Sequence, residues 1–280
     1  MFKFRSVYYV AFLAIFIGVV VFSCTQQPKQ LDPSDSESVQ NQAEGVEYLA
    51  SAESFQNPYD SIGQYHNQIL QAFIDQYEVD EISADLCVSV VDSFLEEIGW
   101  GSLTDEQAQD LNDLAVFFEN HTAEQIDSMN LALMEAEGYS QAFRSYYQAV
   151  GDAFLGMEED LIISALLDTE QEILNDEGLS EEERDILLMN TSVARYSTIY
   201  WATVSNDPDS PWTNGSAGKV AFSWRNVGLG DARGGMGGAI IGGISGAAAG
   251  GVGAVPGAVV GGLGSAAVGS LLAAGAELLF

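Results

Sequence analysis

Side chains suited to chemistry are scarce in this sequence: two histidines, two cysteines and 9 basic residues stand against 41 acidic ones. His66 and His121 lie 55 residues apart, and neither has a His or Cys three or four positions further on. That spacing does not predict a zinc site. His66 is expected on a helix face beside Tyr65, and Cys87, within Leu86-Cys87-Val88, reads as a small core residue. There is no Gly-x-Ser-x-Gly elbow for a serine nucleophile. Gly218-Lys219 is followed by Val220, so the hydroxyl that a phosphate loop needs is missing. Asp207-Pro208-Asp209 opens like a calcium loop, but Pro211 and Gly218 fall where the fifth and twelfth positions require oxygen ligands. The clusters Glu158-Glu159-Asp160 and Glu181-Glu182-Glu183 fit first turns of helices, where carboxylates favour the dipole. Tyr146, Tyr147, Tyr196, Tyr200 and Trp201 could line a groove, but their helical spacing makes packing the default. The reading is of a protein with no catalytic residues, no metal and no cofactor.

The remaining reactive group, Cys24, points to a different chemistry. Residues 1–23 carry no acid, two bases (Lys3 and Arg5) and an apolar run from Val7 to Phe22. A positive start followed by such a run is a secretory signal. The boundary Val21-Phe22-Ser23-Cys24 resembles the lipobox of bacterial lipoproteins, with Phe22 bulkier than the usual pattern. The resemblance implies a diacylglycerol thioether on Cys24, cleavage before it, and acylation of the new amino terminus by a chain such as palmitate. At about 0.8 kcal/mol per buried CH₂, two or three acyl chains hold a protein on a membrane firmly.

The elements between this anchor and the end of the chain follow from charge and periodicity. A net charge of −32 excludes a nucleic-acid binder, because phosphates require a basic face. With 47% apolar and 10% aromatic residues, the chain is not a disordered polyelectrolyte. Residues 24–56, rich in Gln, Ser and Pro, read as a lipidated N-terminus and flexible tether. Residues 57–205 read as an acidic all-helical domain of 149 residues, long enough for a core of its own. Tyr59, Ile62, Tyr65, Ile69, Phe73 and Tyr77 recur at steps of three and four, as do Ile82, Leu86, Val90, Phe94 and Ile98 before Gly99. Thr104 with Gln107, Thr122 with Gln125 and Ser180 with Glu183 match the capping box. Gly138 and Gly178 stand at expected helix ends. Seven helices are predicted, over 58–78, 81–98, 105–119, 123–137, 140–155, 158–176 and 181–204. Residues 206–233 read as a second linker.

The final segment, 234–280, has no ionisable side chain in the 43 residues between Arg233 and Glu277. Gly230, Gly234, Gly238, Gly242, Gly246 and Gly250 recur at steps of four; Gly253, Gly257, Gly261, Ser265, Gly269 and Ala273 do so again. Steps of four put small residues on one helix face, where two backbones can approach closely. Pro256, between Gly253 and Gly257, is expected to divide a helical hairpin whose arms are near bilayer-spanning length. A buried helix pair in a soluble core competes with a membrane hairpin. Against it, each glycine costs a helix about 1 kcal/mol relative to alanine, and a bilayer forces helix because only helix satisfies the backbone there. The membrane reading is the one adopted. The first arm has few strong insertion residues (Ile240, Ile241, Ile244 and Val252), which argues for conditional insertion or self-association.

Gly234 to Gly246, together with Val255-Pro256-Gly257-Ala258-Val259-Val260-Gly261-Gly262, resembles the glycine-zipper two-transmembrane segments of bacterial envelope lipoproteins. It is also similar to glycine-rich portions of class II bacteriocins, which insert in and permeabilise membranes. The likeness covers about 45 of 280 residues. The expectation is therefore an all-α lipoprotein of the cell envelope, at the outer rather than the inner membrane. Its partners would be membrane lipid and copies of itself meeting through the glycine faces, with no nucleic acid. Its role would be structural or interactive. The alternative is a bacteriocin-like antagonist whose helical domain delivers or masks a toxic hairpin.

Overall fold

The structure, a computed structural model, describes residues 54, 56–155, 159–207, 209–214, 223–248 and 254–279. The signal segment, Cys24, nearly all of the tether, Gly250 and Gly253 lie outside the described residues. Within them every regular element is helical: α1 (Asp60–Gln76), α2 (Ala84–Glu97), α3 (Asp105–Asn120), α4 (Ala123–Ala136), α5 (Gln141–Ala153), α6 (Glu159–Asn175), α7 (Glu181–Asn206), the short α8 (Pro211–Asn214), α9 (Trp224–Ala248) and α10 (Ala254–Leu279). The chain is all-α, as the patterning predicts.

The starts are set by local chemistry. Reciprocal capping boxes form at Thr104 with Gln107, Thr122 with Gln125 and Ser180 with Glu183, satisfying amides that have no partner inside the helix. Ser140 caps α5 by accepting from the Phe143 amide. Gly99 and Gly138 end α2 and α4 with φ of 82° and 79°, a region closed to most side chains. A 3₁₀ turn at Val79–Glu81 delays the second helix until Ala84.

Two differences from the sequence reading matter for function. First, residues 224–233, read as linker, form the opening turns of α9. Pro256 does not divide the hairpin; it sits in the first turn of α10, where its missing amide would be unpaired anyway. Second, the glycine-rich pair is the inside of the fold. Every residue from Asp231 to Ile240 and from Gly262 to Leu272 is buried. α9 packs on α7, α4 and α5, and α10 packs on α1, α2, α3 and α7. One apolar cluster runs continuously from Ile62 and Phe73 through Val91, Leu111 and Trp201 to Met236, Leu263 and Leu271. A buried helix pair, weighed below the membrane hairpin on glycine's helix cost, is thus the arrangement described. Glycine's helix cost weighs most on helices that face water. Here the surrounding helices exclude water from Asp231–Ile240 and Gly262–Leu272, so the backbone there has the same incentive to close its hydrogen bonds that a bilayer provides.

Helix α7 completes the centre. All residues from Ile186 to Ile199 are buried although that stretch includes Asn190, Thr191, Ser192, Arg195, Ser197 and Thr198. Such polar groups are tolerated inside only when paired, and their pairing organises the site.

Candidate functional site

The two glycine series face one another in antiparallel register. Gly242 opposes Gly257, Gly238 opposes Gly261, Gly234 opposes Ser265, and Gly230 opposes Gly269 and Ala273. A Cβ at Gly238, Gly242 or Gly261 would fall well under 3.0 Å from the facing backbone carbonyl, and one at Gly234 would lie 2.9 Å from the Ser265 oxygen. The helices therefore touch backbone to backbone. Ser265 Oγ donates within this seam, with the Gly261 and Gly234 carbonyl oxygens at 2.6 and 2.8 Å. Gly246 lies on α9.

Three polar clusters pin the hairpin and its surroundings. The first surrounds Asp231, three residues before the ion-free run. Its Oδ2 accepts from Ser197 Oγ and, at 3.0 Å, from Trp201 Nε1, while His66 Nε2 stands 3.6 Å away. Trp201 Nε1 also reaches Ser270 Oγ on α10 at 3.0 Å, so the cluster joins α1, α7, α9 and α10. Both His66 and Asp231 are fully buried. His66, expected on a helix face beside Tyr65, lies on α1 and is the partner of a buried carboxylate. Sequence reasoning missed the pair because Asp231 fell in a presumed linker. The steps of three and four that join Trp224, Val227 and Asp231 were the signal available.

The second cluster centres on Arg195, fully buried on α7. Its guanidinium pairs with Asp60 and donates to Glu170 Oε1 at 2.9 Å, and Asn57 Nδ2 donates to the same Glu170 oxygen at 2.9 Å. This network fastens α1 and α6 to α7. Removing one member of such a buried set leaves an uncompensated charge. The third joins α4 to α9: the Arg233 guanidinium forks onto Asp127, with Nε to Oδ1 at 2.7 Å. Tyr147 Oη donates to the same carboxylate at 2.7 Å, and Asn130 Nδ2 donates to the Arg233 carbonyl at 3.1 Å.

None of these clusters has the order of a nucleophilic relay, since the serine bonds the carboxylate and not the histidine. Among the described residues no three His, Cys, Asp or Glu side chains converge as metal ligands. His121 is exposed and stacks on Phe117, with ring centroids 3.9 Å apart. Cys87 is buried, and burial pushes its thiol up to about 12, which removes it from thiolate chemistry near neutrality. Of the aromatics, Tyr147, Tyr196 and Trp201 are core, while Tyr146 borders an open recess with Asp168, Glu172 and Asp176. Comparison with protein-family models, with curated proteins and with solved structures finds no match.

Burial pushes the Asp231 carboxyl above the usual carboxylate range, outweighing the pull of His66 and of the Ser197, Ser270 and Trp201 hydrogen bonds. The folded chain therefore holds the proton more tightly than the unfolded chain, whose carboxyl titrates near ~3.9. This group's contribution to stability is greatest below that value and falls as pH rises through the window up to the folded pKa. Asp231→Asn keeps an oxygen for Ser197 and Trp201 without the charge. It is expected to unfold at a higher temperature than wild type at about pH 7.5, with the gap closing toward about pH 4. Thermal melts across that range check the sign; a variant less stable at the upper end would show that the ionised form is the one the site favours.

Proposed function

We propose that this protein is an envelope lipoprotein, tethered through Cys24, which keeps an apolar helix pair sheathed in water and yields it to a membrane. The observation that carries the reading is the placement of α9 and α10. A helix from Gly257 to Glu277 has the length and hydropathy to cross a bilayer, yet 72% of that span is buried under the other helices. Those helices carry the acidic excess of the chain, which keeps the closed form soluble and away from anionic lipid. In the closed form the two glycine series occupy each other. Self-association through the glycine faces then belongs to the inserted state, where the same close approach can be made between copies.

The sheathing equally favours a second reading, the bacteriocin-like antagonist, because masking is the role that reading gives the helical domain. Vesicles loaded with a self-quenched dye separate the two. An anchoring or assembling protein floats with vesicles and resists alkaline extraction without releasing dye; a permeabilising one releases it. Protein that neither floats nor releases dye removes both. The lipid anchor has its own test. Cys24→Ser should lose incorporation of labelled palmitate and accumulate as the uncleaved precursor, and label in the variant equal to wild type would remove Cys24 as the attachment site.

A further inference from the structure

The cover over the hairpin is not held uniformly. Helix α7 contributes seventeen buried residues, whereas α3 contributes Leu111, Leu114 and Ala115, and α4 only Asn130 and Met134. Yet α3 and α4 lie directly on the glycine seam. Phe118 stands 3.5 Å from where a Gly234 side chain would begin and 3.6 Å from the same point at Gly269; Leu111 closes on Gly264 at 3.0 Å. The two helices are joined by His121 and Thr122 alone, so the end of α3 fixes where α4 begins. Their outer ends are marked by the glycines with positive φ among the described residues: Gly99 and Gly101 before α3, and Gly138 after α4. All three have open space around them. A short apolar grip, bounded on both sides by glycine turns where the chain changes direction, is the construction of a hinged element.

We infer that residues 102–137, helices α3 and α4, form a hinged cover whose latch is the Asp127–Arg233 pair, and that its opening presents the α9–α10 seam to the acyl region of a bilayer. The inference rests on the membrane reading above for its last step only. The latch is where the grip is concentrated. Asp127 receives the Arg233 fork and the Tyr147 hydroxyl, and Asn130 reaches the α9 backbone, so four groups hold α4 at one place. Both side chains of the ion pair keep some solvent contact, so water can replace the partner when the pair opens. Once α4 leaves, α3 is still held by Leu111, Leu114, Ala115 and Phe118 and by its packing on α2, so the latch frees α4 first.

Hydrogen exchange on the full-length protein in water reads the hinge without any membrane. Amides of α3 and α4 are expected to exchange well before those of α7, and Asp127→Asn should speed α4 exchange by about fivefold while leaving α7 unchanged. A removable staple reads the link to lipid. Asn130 Cγ lies 3.7 Å from a Cβ at Gly237, so the two positions face each other, and Asn130→Cys with Gly237→Cys supplies the two thiols of the staple, its closure scored by thiol titration. Added to phosphatidylethanolamine–phosphatidylglycerol vesicles, the oxidised staple should fail to insert, and reductant should restore insertion in the same sample. Exchange of α3 and α4 no faster than α7, or full insertion with the staple closed, overturns the cover. If exchange opens the cover first but neither wild type, Asp127→Asn nor the reduced staple enters vesicles, the cover stands and the membrane reading falls.

Discussion

Gly238→Ala is expected to be among the most destabilising single methyl additions this chain can receive. A Cβ there would fall on the Gly261 carbonyl and on Ser265 Oγ, well under 3.0 Å from each. Ser265 can rotate, but the carbonyl belongs to the backbone of α10 and moves only with the helix. The intrinsic gain of alanine over glycine in a helix, about 1 kcal/mol, acts in the opposite direction. Overpacking typically costs ~1–3 kcal/mol, and a backbone obstruction belongs at or beyond the upper end. Gly151→Ala is the matched control, because its nearest neighbour, Leu229 Cδ1, lies 3.9 Å away. That variant should gain stability, up to about 1 kcal/mol. Denaturant midpoints for the two variants should therefore move in opposite directions. Equal midpoints would show that the α9–α10 seam is looser than described.

Ending the chain at residue 210 should have a larger effect still. The seven predicted helices, with their own capping boxes and apolar stripes, read as a self-sufficient domain over 57–205. The described core contradicts that independence in its packing. Trp201, Ile62, Val91 and Leu111 share one apolar cluster with Met236, Leu263 and Leu271, and Asp231 is the group that His66, Ser197 and Trp201 face. Without α9 and α10 the remaining helices would surround a void two helices wide. A fragment of residues 40–210 is expected to keep far-ultraviolet helicity, lose near-ultraviolet tryptophan signal, bind a hydrophobic dye and melt without cooperativity. A sharp calorimetric transition in that fragment would restore the separate domain and make the hairpin an addition to it.

Local structure was legible in the sequence to within a few residues, because helix ends are decided by side chains adjacent in the chain. Thr104, Thr122, Ser140 and Ser180 cap the helices that follow them, and Gly99 and Gly138 end the helices that precede them. The spacing of the glycines likewise placed them on single helix faces. What was not legible was who faces whom. An ion-free helix pair satisfies its backbone equally well in a bilayer or in a sufficiently thick protein sheath, and composition does not distinguish those surroundings. The sheath's inner wall was also disguised. α7 carries an apolar stripe at Ile186, Met189, Val193 and Tyr196, but its other faces read as solvent-facing, whereas Asn190, Ser192, Arg195 and Ser197 spend their polarity on Ala232, Asp60, Glu170 and Asp231 rather than on water. His66 and Asp231, 165 positions apart, meet only once both central elements are in place.

The order of the elements along the chain has a consequence for biosynthesis. Polypeptides emerge amino terminus first, at about 5–20 residues per second. Helices α1 to α7 are therefore all outside before the first residue of α9 appears. The apolar pair thus emerges after the helices that receive it, into their company. The same order demands that the early helices not close on one another first. The polar interior of α7 serves that end. Its Asn190 and Ser197 have their native partners on α9, so the early helices leave these groups unpaired until the hairpin arrives.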